Sequence, residues 1–377
     1  MDDPYGRSDL VVVGAGIVGL AHAVEAQRRG LTVTVVERDD RAVGASVRNF
    51  GHACITAQAG HNLDLARASR ERWIDVGTRA GVGVAESGAV VVARSSEELD
   101  VLEEFTTGRA GEAELLGVAE LRRRVPLVGG DVVGGAYLPQ DLRVDQRRAV
   151  GALAAWLADQ PGVDLLWETS LTGLEEGSVR TSRGTIEADR AVVCVGHDVD
   201  RLFPDIAREA EVERCVLHML RVAAPSGPGY RVDPAVLSGT SLLRYGGFAA
   251  CPSLPALWAR IAVERPDVLA ADVNLMFTQL PGGDLTIGDT HHHTRTVDPF
   301  SDDSLDEILL AETARLLGVD RLVVRQRWRG TYATAPDDLL VATPGPGARV
   351  VSVTSGIGMT VAFGLAVEVL DDLLAGA

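Results

Sequence analysis

The strongest structural signal in this chain is Leu10-Val11-Val12-Val13-Gly14-Ala15-Gly16-Ile17-Val18-Gly19. Its first residues form an apolar, mostly β-branched run, as in a strand buried within a parallel sheet. The glycines follow the pattern GxGxxG, and residues 20–29 favour a helix that Gly30 ends. A second apolar run, 31–36, predicts another strand and leads to Glu37. Together these segments predict a βαβ unit that opens an α/β fold.

The glycine pattern predicts a dinucleotide site because each glycine has its own task. Gly14 permits the tight turn, Gly16 lets the backbone approach a pyrophosphate, and Gly19 lets helix and strand pack closely. The amino end of the helix then offers free N–H groups to the phosphates. Glu37 stands 18 residues after Gly19, where its carboxylate can accept both ribose hydroxyl protons, which disfavours NADP. The alternative is a doubly wound domain that binds no dinucleotide.

A second glycine turn near the carboxyl end separates FAD from NAD. Residues Ser355-Gly356-Ile357-Gly358-Met359-Thr360 follow a predicted strand at 349–353 and precede a predicted helix at 360–374. The amino end of such a helix can point at the pyrimidine edge of a flavin and stabilise charge on the reduced ring. A simple NAD dehydrogenase has no need of this second site, so we expect FAD.

The rest of the chain divides into two patterns. We expect helices at 62–80, 97–106 and 146–158, strands at 89–93, 163–167 and 191–195, and a hairpin at 178–188. Between 205 and 330, short strand-like runs, prolines and the turn Pro281-Gly282-Gly283-Asp284 predict an antiparallel sheet. We therefore assign 1–85, 140–205 and 335–377 to a discontinuous cofactor domain, and 86–139 and 206–334 to a substrate domain.

Composition excludes several classes of protein. The formal charge of −17 disfavours binding to nucleic acid or anionic lipid, and we expect no membrane segment. All 36 basic residues are arginine, so a pyridoxal phosphate Schiff base and a P-loop lysine are excluded. The four separate cysteines indicate neither a disulfide framework nor zinc, and we expect no metal. The first residues do not resemble an export signal, which favours a cytoplasmic protein.

The chain resembles the D-amino acid oxidase and glycine oxidase superfamily over nearly its whole length. The matching segments are both glycine turns, Glu37-Arg38, Gly44-Ala45-Ser46 and the strand that ends at Gly196. The resemblance implies a GR2-type Rossmann FAD-binding domain and an antiparallel sheet that covers the isoalloxazine. Members with covalent flavin use a cysteine before the final glycine turn, and 328–336 contains none, so we expect non-covalent FAD.

The resemblance also implies a set of cofactor contacts on the two turns, the loop after Glu37 and the strand ends. The expected FAD-binding residues are Gly14, Ala15, Gly16, Ile17, Val18, Gly19, Glu37, Arg38, Ser46, Arg48, Asn49, Gly51, His52, Leu171, Cys194, Gly196, Gly356, Ile357, Gly358, Met359 and Thr360.

Three segments are similar to a subgroup associated with aminophosphonate catabolism: Ser46-Val47-Arg48-Asn49-Phe50-Gly51, Trp328-Arg329-Gly330-Thr331-Tyr332 and 356–360. The subgroup resembles enzymes that oxidise derivatives of 2-aminoethylphosphonate, including N-methylated forms. This similarity implies a small anionic amine as the substrate.

The substrate anchor of this chain departs from the superfamily pattern. Members usually hold a substrate carboxylate with an arginine in Trp-x-Gly-x-Arg-Pro, and here Tyr332 falls at that arginine. A standard α-amino acid substrate is therefore disfavoured, unless the anchor has moved elsewhere. Candidates for a relocated anion site are Arg48, Arg244, Arg329 and the histidine triplet His291-His292-His293, with Tyr245 and Tyr332 as further donors.

Three residues are candidates for direct participation in catalysis. His52 follows Asn49-Phe50-Gly51 and is expected where the loop passes the flavin ring. His291 follows Ile287-Gly288-Asp289-Thr290, which resembles a strand that lines the substrate cavity in this family. Tyr332 is the third.

The implied function is oxidation of a small primary or N-methylated amine. Hydride transfer to flavin N5, hydrolysis of the imine and reoxidation by O2 to H2O2 make up the expected reaction, which requires an oriented substrate, a neutral amine and a dry site rather than a catalytic triad. A glycine, sarcosine or D-amino acid oxidase is the alternative within this class. A non-catalytic flavin- or NAD-binding protein is the alternative outside it, and the oligomeric state stays open.

Overall fold

The computed structural model describes residues 6–126, 128–227 and 229–375. The strands of this part of the chain, in sequence order, are β1 (Ser8–Val13), β2 (Val33–Val36), β3 (His52–Ala53), β4 (Ala89–Ala93), β5 (Glu114–Leu116), β6 (Gly134–Leu138), β7 (Leu142–Arg143), β8 (Val163–Leu166), β9 (Leu171–Glu175), β10 (Ser178–Thr181), β11 (Gly184–Val193), β12 (Glu213–Val222), β13 (Ala235–Leu237), β14 (Met276–Gln279), β15 (Leu285–Gly288), β16 (His292–Thr294), β17 (Val324–Thr334), β18 (Leu339–Ala342) and β19 (Ala348–Val353). The α-helices are α1 (Ile17–Arg28), α2 (Gly60–Ala80), α3 (Ser96–Gly108), α4 (Val118–Arg124), α5 (Gln146–Ala158), α6 (Val199–Leu202), α7 (Pro204–Glu209), α8 (Gly239–Leu242), α9 (Leu254–Glu264), α10 (Pro266–Ala270), α11 (Asp303–Leu317) and α12 (Gly358–Ala375).

The first sheet contains the predicted βαβ unit. Its main path runs β18-β19-β11-β1-β2-β8, and its neighbours are parallel except for the β18–β19 pair. Strand β1 lies at the centre and is almost wholly buried, as its apolar run predicts. Helices α1, α2, α5 and α12 pack over one face and bury a single apolar cluster with it. The α/β class is confirmed.

One predicted boundary in this sheet is wrong. The hairpin expected at 178–188 and the strand expected at 191–195 share a single ten-residue strand, β11. Its first half pairs antiparallel with β10, and its second half pairs parallel with β1. Residues 189 and 190, between the two predicted segments, belong to this strand as well.

The second sheet is the predicted antiparallel one, with a single exception. Its path is β16-β12-β15-β14-β13-β4-β6-β5, and β17 pairs along the other edge of β12. Within this sheet, among the strands described, only the β13–β4 pair runs parallel. The segment 205–330 also contains helices that the strand-like pattern did not predict, the longest of which is α11.

The two sheets follow the proposed division of the chain. Every strand of the first sheet falls within 1–85, 140–205 and 335–377, and every strand of the second within 86–139 and 206–334. The domain boundaries themselves stay a prediction. Across the described ranges, no helix combines the length and the apolar character needed to cross a membrane.

Candidate active site

One cavity is lined by residues from both ends of the chain. The first glycine turn, the loop after β2, the end of β11 and the turn before α12 all contribute to its wall. The two turns lie side by side, since a Cβ built on Gly358 would be 3.8 Å from Ile17 Cγ2. The predicted convergence of the two helix amino ends is therefore present in the structure.

The three glycines of the first turn have different surroundings. Gly14 has φ +102°, and a Cβ there would lie 2.4 Å from the carbonyl oxygen of Cys194. A Cβ on Gly19 would lie 1.9 Å from the carbonyl oxygen of Gly14, so helix α1 touches the turn directly. A Cβ on Gly16 would meet only Ser46 Oγ, at 3.2 Å, and Gly16 lines the cavity. The backbone at Gly16 is thus free to approach a pyrophosphate, as FAD binding requires.

The side chain of Glu37 ties the turn to the loop after β2. Its Oε2 accepts a hydrogen bond from the Ala15 N–H at 2.8 Å, and its Oε1 accepts one from Asp39 N–H at 3.1 Å. Arg38 beside it pairs with Asp198 at 2.6 Å. Glu37 lines the cavity with both backbone contacts in place, which presents a fixed carboxylate to the ribose end of a dinucleotide.

Two hydrogen bonds hold the second glycine turn in place. Trp73 Nε1 donates to the carbonyl of Met359 at 2.8 Å, and Cys54 N–H donates to Thr360 Oγ1 at 3.0 Å. These bonds fix the first turn of α12 against α2 and the loop after β3. The amino end of α12 therefore presents a preorganised partial positive charge to the cavity.

Replacement of Gly16 by alanine is expected to weaken FAD binding at least about tenfold while the fold persists, because the new methyl group projects into the cavity. Titration of apoprotein with FAD gives the Kd, and circular dichroism checks the fold. Gly151→Ala, in α5 with nothing within 4 Å of the new Cβ, is the matched control. Equal affinity in both variants would show that the pyrophosphate does not lie at Gly16.

Hydrogen-bond donors collect at the other end of the cavity. Arg244 Nη2 donates to the hydroxyl of Tyr332 at 2.8 Å, and both residues line the cavity. The ring of Tyr332 lies against the second glycine turn, since a Cβ on Gly356 would be 3.0 Å from it. Tyr245 also lines the wall and donates to Met276 Sδ at 3.7 Å. Arg244 is therefore directed toward the turn on which the flavin ring is expected.

His291 is buried at the same end. Its Nδ1 lies 2.8 Å from the backbone carbonyl of Asp272, which only accepts, so Nδ1 carries the hydrogen and Nε2 carries a lone pair. Burial lowers the pKa of His291 to about 3. The side chain is thus a neutral acceptor at ordinary pH.

Asp289 is a site residue for which sequence analysis assigned no role. It is 5% exposed, lines the cavity, and its Oδ1 has no hydrogen-bond partner among the described residues. Burial raises the pKa of Asp289 to about 7, although the charge of Arg244 works in the opposite direction. The segment Ile287-Gly288-Asp289-Thr290 was expected to line the substrate cavity, but no local pattern distinguishes Asp289 within it.

His52 lies in the cavity wall with a carboxylate behind it. Its Nε2 is 2.8 Å from Asp141 Oδ2, and Asp141 Oδ1 accepts from the backbone N–H groups of Ile55 and Thr56. The side-chain atoms of His52, Cys54 and Asp141 that could coordinate a metal ion all lie within 4.8 Å of one another. The hydrogen bonds of Asp141 already explain why these side chains lie together. Burial raises the pKa of Cys54, which keeps its thiol protonated.

Several predicted site residues lie away from the cavity. Arg329 donates to the backbone carbonyl of Phe300 at 3.0 Å, and His292 is exposed on β16. Neither residue is among those that line the cavity, and their expected substrate contact stays a prediction. Arg48 and Asn49 line the cavity. Ala15, Gly19 and Gly51 stand behind its wall, where they support the loops that form it.

The remaining predicted residues reach the cavity. These are Gly14, Gly16, Ile17, Val18, Glu37, Arg38, Ser46, His52, Leu171, Cys194, Gly196, Arg244, Tyr245, His291, Tyr332, Gly356, Ile357, Gly358, Met359 and Thr360. Their individual roles stay predictions.

The chain is similar in sequence to two oxidases. An opine oxidase subunit of Rhizobium meliloti is 33% identical over 35% of this chain and 40% of its own length. Glycine oxidase of Geobacillus kaustophilus is 26% identical over 58% of this chain and 62% of its own length. The chain thus matches less than two thirds of either relative.

Solved structures with the same fold cover nearly all of the chain. The glycine oxidase of G. kaustophilus superposes with a TM-score of 0.76 at 20% identity, covering 98% of this chain and 95% of that one. L-Proline dehydrogenase from P. horikoshii superposes with a TM-score of 0.79 at 19% identity, covering 99% and 94%. The model of the FAD-dependent oxidoreductase (DAO) family matches residues 9–371. The two convergent glycine turns and this match identify the chain as a member of the FAD-dependent oxidoreductase family, and its cofactor as FAD.

Proposed function

We propose that this protein oxidises a small anionic amine, with an aminophosphonate of the 2-aminoethylphosphonate type as the substrate. The observation that carries the proposal is the Arg244–Tyr332 pair, which lies at 2.8 Å beside the second glycine turn. Because Arg244 donates to the Tyr332 oxygen, the tyrosine hydroxyl can direct its own proton to another acceptor. A phosphonate has three acceptor oxygens and suits several separate donors.

The chain's own residues would bind and orient the substrate. Arg244 and Tyr332 hold the anion, and the buried residues around them keep water away from the carbon that carries nitrogen. When bound, FAD supplies the acceptor for the hydride that leaves this carbon.

We also propose that FAD is held without a covalent bond. Cys54 and Cys194 line the cavity, and burial raises the pKa of both thiols well above the ordinary value. Protonated thiols are poor nucleophiles, so neither is suited to attack the flavin. Release of all flavin on acid precipitation of the protein would support this, whereas flavin retained in the pellet would refute it.

A substrate panel tests the function. The purified holoprotein is assayed for O2 consumption and for H2O2 with glycine, sarcosine, D-alanine, 2-aminoethylphosphonate and its N-methyl derivative. We expect the highest kcat/KM with one of the two phosphonates. Reaction with the α-amino acids alone would favour the second candidate, a glycine, sarcosine or D-amino acid oxidase, which the similarity to glycine oxidase supports. Turnover with an artificial dye but not with O2 would show that O2 is not the electron acceptor.

Arg244→Ala is expected to raise KM for the phosphonate by about tenfold to a hundredfold, because an ion-paired, partly buried contact of this kind contributes about 1.5–3 kcal/mol. Tyr332→Phe, which removes only the hydroxyl, is expected to raise KM less. Steady-state kinetics give both values. Arg329→Ala is the matched control, since its guanidinium contacts a surface loop outside the cavity. Unchanged kinetics in both cavity variants would exclude this pair as the anion site.

A further inference from the structure

The cavity has two chemically opposite sides near the second glycine turn. Arg244 and Tyr332 present donors, as an anion requires. Asp289 and His291 present acceptors, and the two are close, with His291 Nε2 3.8 Å from Asp289 Oδ2. The donor side explains the anion of the proposed substrate, but it leaves the acceptor side without a role.

The position of Asp289 is fixed by its backbone. Its N–H donates to the carbonyl of Asn274 at 2.9 Å, and its carbonyl accepts from the Asn274 N–H at 2.8 Å. The side chain then projects into the cavity wall, where Oδ1 is buried and has no partner in the described ranges. A buried carboxyl oxygen without a partner is costly, and such groups occur where a ligand completes the hydrogen bond.

The neutral state of His291 excludes it as a donor to this oxygen. Its single N–H is engaged by the carbonyl of Asp272, so Nε2 can only accept. Asp289 and His291 therefore share a preference for a ligand that brings its own N–H groups. An ammonium group meets this requirement.

We propose that Asp289 is the base that receives a proton from the ammonium group of the substrate, with His291 Nε2 as a second acceptor that orients the nitrogen. This inference rests on the proposed function as an amine oxidase. In the step, one N–H bond of the ammonium breaks, the proton forms an O–H bond with Asp289 Oδ1, and the electron pair stays on nitrogen. The amine becomes neutral, which loss of hydride from the adjacent carbon requires.

The pKa of Asp289, set by its surroundings, supports this role. The titratable and charged groups around Asp289 are Arg244, Tyr245, Asp272, His291, Tyr332 and Cys215. Burial holds the pKa of His291 at about 3, and it raises the pKa values of Tyr245, Tyr332 and Cys215 above their ordinary range. The pKa of Asp289, about 7, suits a proton acceptor that works at neutral pH.

Calorimetric titration of the holoprotein between pH 5 and pH 9, pH values chosen to bracket a base that titrates near neutrality, tests the proposal without turnover. The probes are 3-amino-3-methylbutanoate, whose nitrogen-bearing carbon carries no hydrogen to be removed, and 3,3-dimethylbutanoate, which replaces the amino group by methyl. The Kd of the amine is expected to fall about tenfold per pH unit up to about pH 7 and then to level off. The amine-free ligand is expected to bind no better as the pH rises.

Asp289→Asn is expected to abolish this pH dependence and to raise the Kd of the amine at least about tenfold at pH 8, since the charge is lost at constant shape. It is also expected to lower kcat/KM with the oxidised substrate about a hundredfold and to remove the rising limb of its pH profile near 7. If the variant fails to fold, the pH dependence of binding of the two ligands to the wild-type protein still tests the proposal.

Two outcomes would overturn the assignment: the same pH dependence for an amine and its amine-free counterpart, or absence of binding at every pH by both this amine and its phosphonate counterpart. The matched phosphonates, 2-amino-2-methylpropylphosphonate and 2,2-dimethylpropylphosphonate, separate this proposal from the proposed function. If only the carboxylate pair binds, and with the expected contrast, Asp289 keeps its role and the phosphonate substrate is wrong.

Discussion

Gly19→Ala is expected to destabilise the protein by about 3 kcal/mol or more and to lower the flavin content of the purified protein. The new Cβ would lie 1.9 Å from the carbonyl oxygen of Gly14 and 3.3 Å from Val12 Cγ1, inside the central strand and its turn. Backbone atoms cannot rotate away as a side chain can, so helix α1 must shift from β1. Because the amino end of α1 faces the pyrophosphate site, the same shift disturbs the cofactor contact.

Urea denaturation of Gly19→Ala, with the flavin-to-protein ratio measured in parallel, tests this prediction. Gly151→Ala is again the control, because its Cβ meets nothing within 4 Å and alanine favours a helix interior over glycine. A Gly19→Ala protein with wild-type stability and flavin content would mean that close packing of α1 on β1 is not what this glycine provides.

Asp289→Asn is expected to make the ligand-free protein more stable above pH 7. The folded-state pKa of about 7 lies above the ordinary value of 3.8, so the folded carboxyl keeps its proton where the unfolded one has lost it. The stability that this provides is present below pH 3.8 and is lost as the pH rises to about 7. Asparagine does not ionise, so its advantage over aspartate grows across this window to as much as about 4 kcal/mol.

Urea midpoints of both proteins between pH 4 and pH 9, a range chosen to span this window, measure the effect. Asp75→Asn provides a control of opposite sign, because the hydrogen bond from Arg79 lowers the pKa of Asp75. Its stabilising contribution is present at neutral pH and is lost as the pH falls. A difference in urea midpoint between wild type and Asp289→Asn that stays constant over the whole pH range would contradict a raised pKa at Asp289. It would also contradict the loss of stability expected when this buried carboxyl ionises.

The cofactor half of the site could be predicted because its signals are local. The first glycine turn and Glu37 lie within one βαβ unit, and the second turn opens its own helix, so each is recognisable from a short window. The contact between the two turns, which a shared flavin requires, arises because α12 packs against α1 and α2. The adjacency of Gly358 and Ile17 follows from that packing.

The substrate half could be predicted only in part because it depends on strand faces. Successive side chains of a strand point to opposite faces, so Tyr332 and Arg329, three positions apart on β17, cannot share the cavity. His291 precedes β16 and is buried, whereas His292 on that strand is exposed. Applying the alternation of β17 to the sequence would have separated Arg329 from Tyr332.

Asp289 and α11 were missed for different reasons. The importance of Asp289 comes from Asn274 and Arg244, both remote in sequence, and no local pattern reports that contact. Helix α11 did carry local signals, since the Asp302 side chain accepts from Ser304 N–H at 2.9 Å and Gly318 ends the helix with φ +67°. The expectation of an antiparallel sheet across 205–330 overrode them.

We infer that two glycine-cornered helix ends, at opposite extremities of the chain, hold one FAD between them. A crystal structure of the purified yellow protein would show whether they do. We expect pyrophosphate density against Gly16, ribose hydroxyls at Glu37, and the flavin ring against the turn Ser355-Gly356-Ile357-Gly358 with Arg244 and Asp289 beyond it. A flavin bound elsewhere, or a different group between these turns, would contradict it.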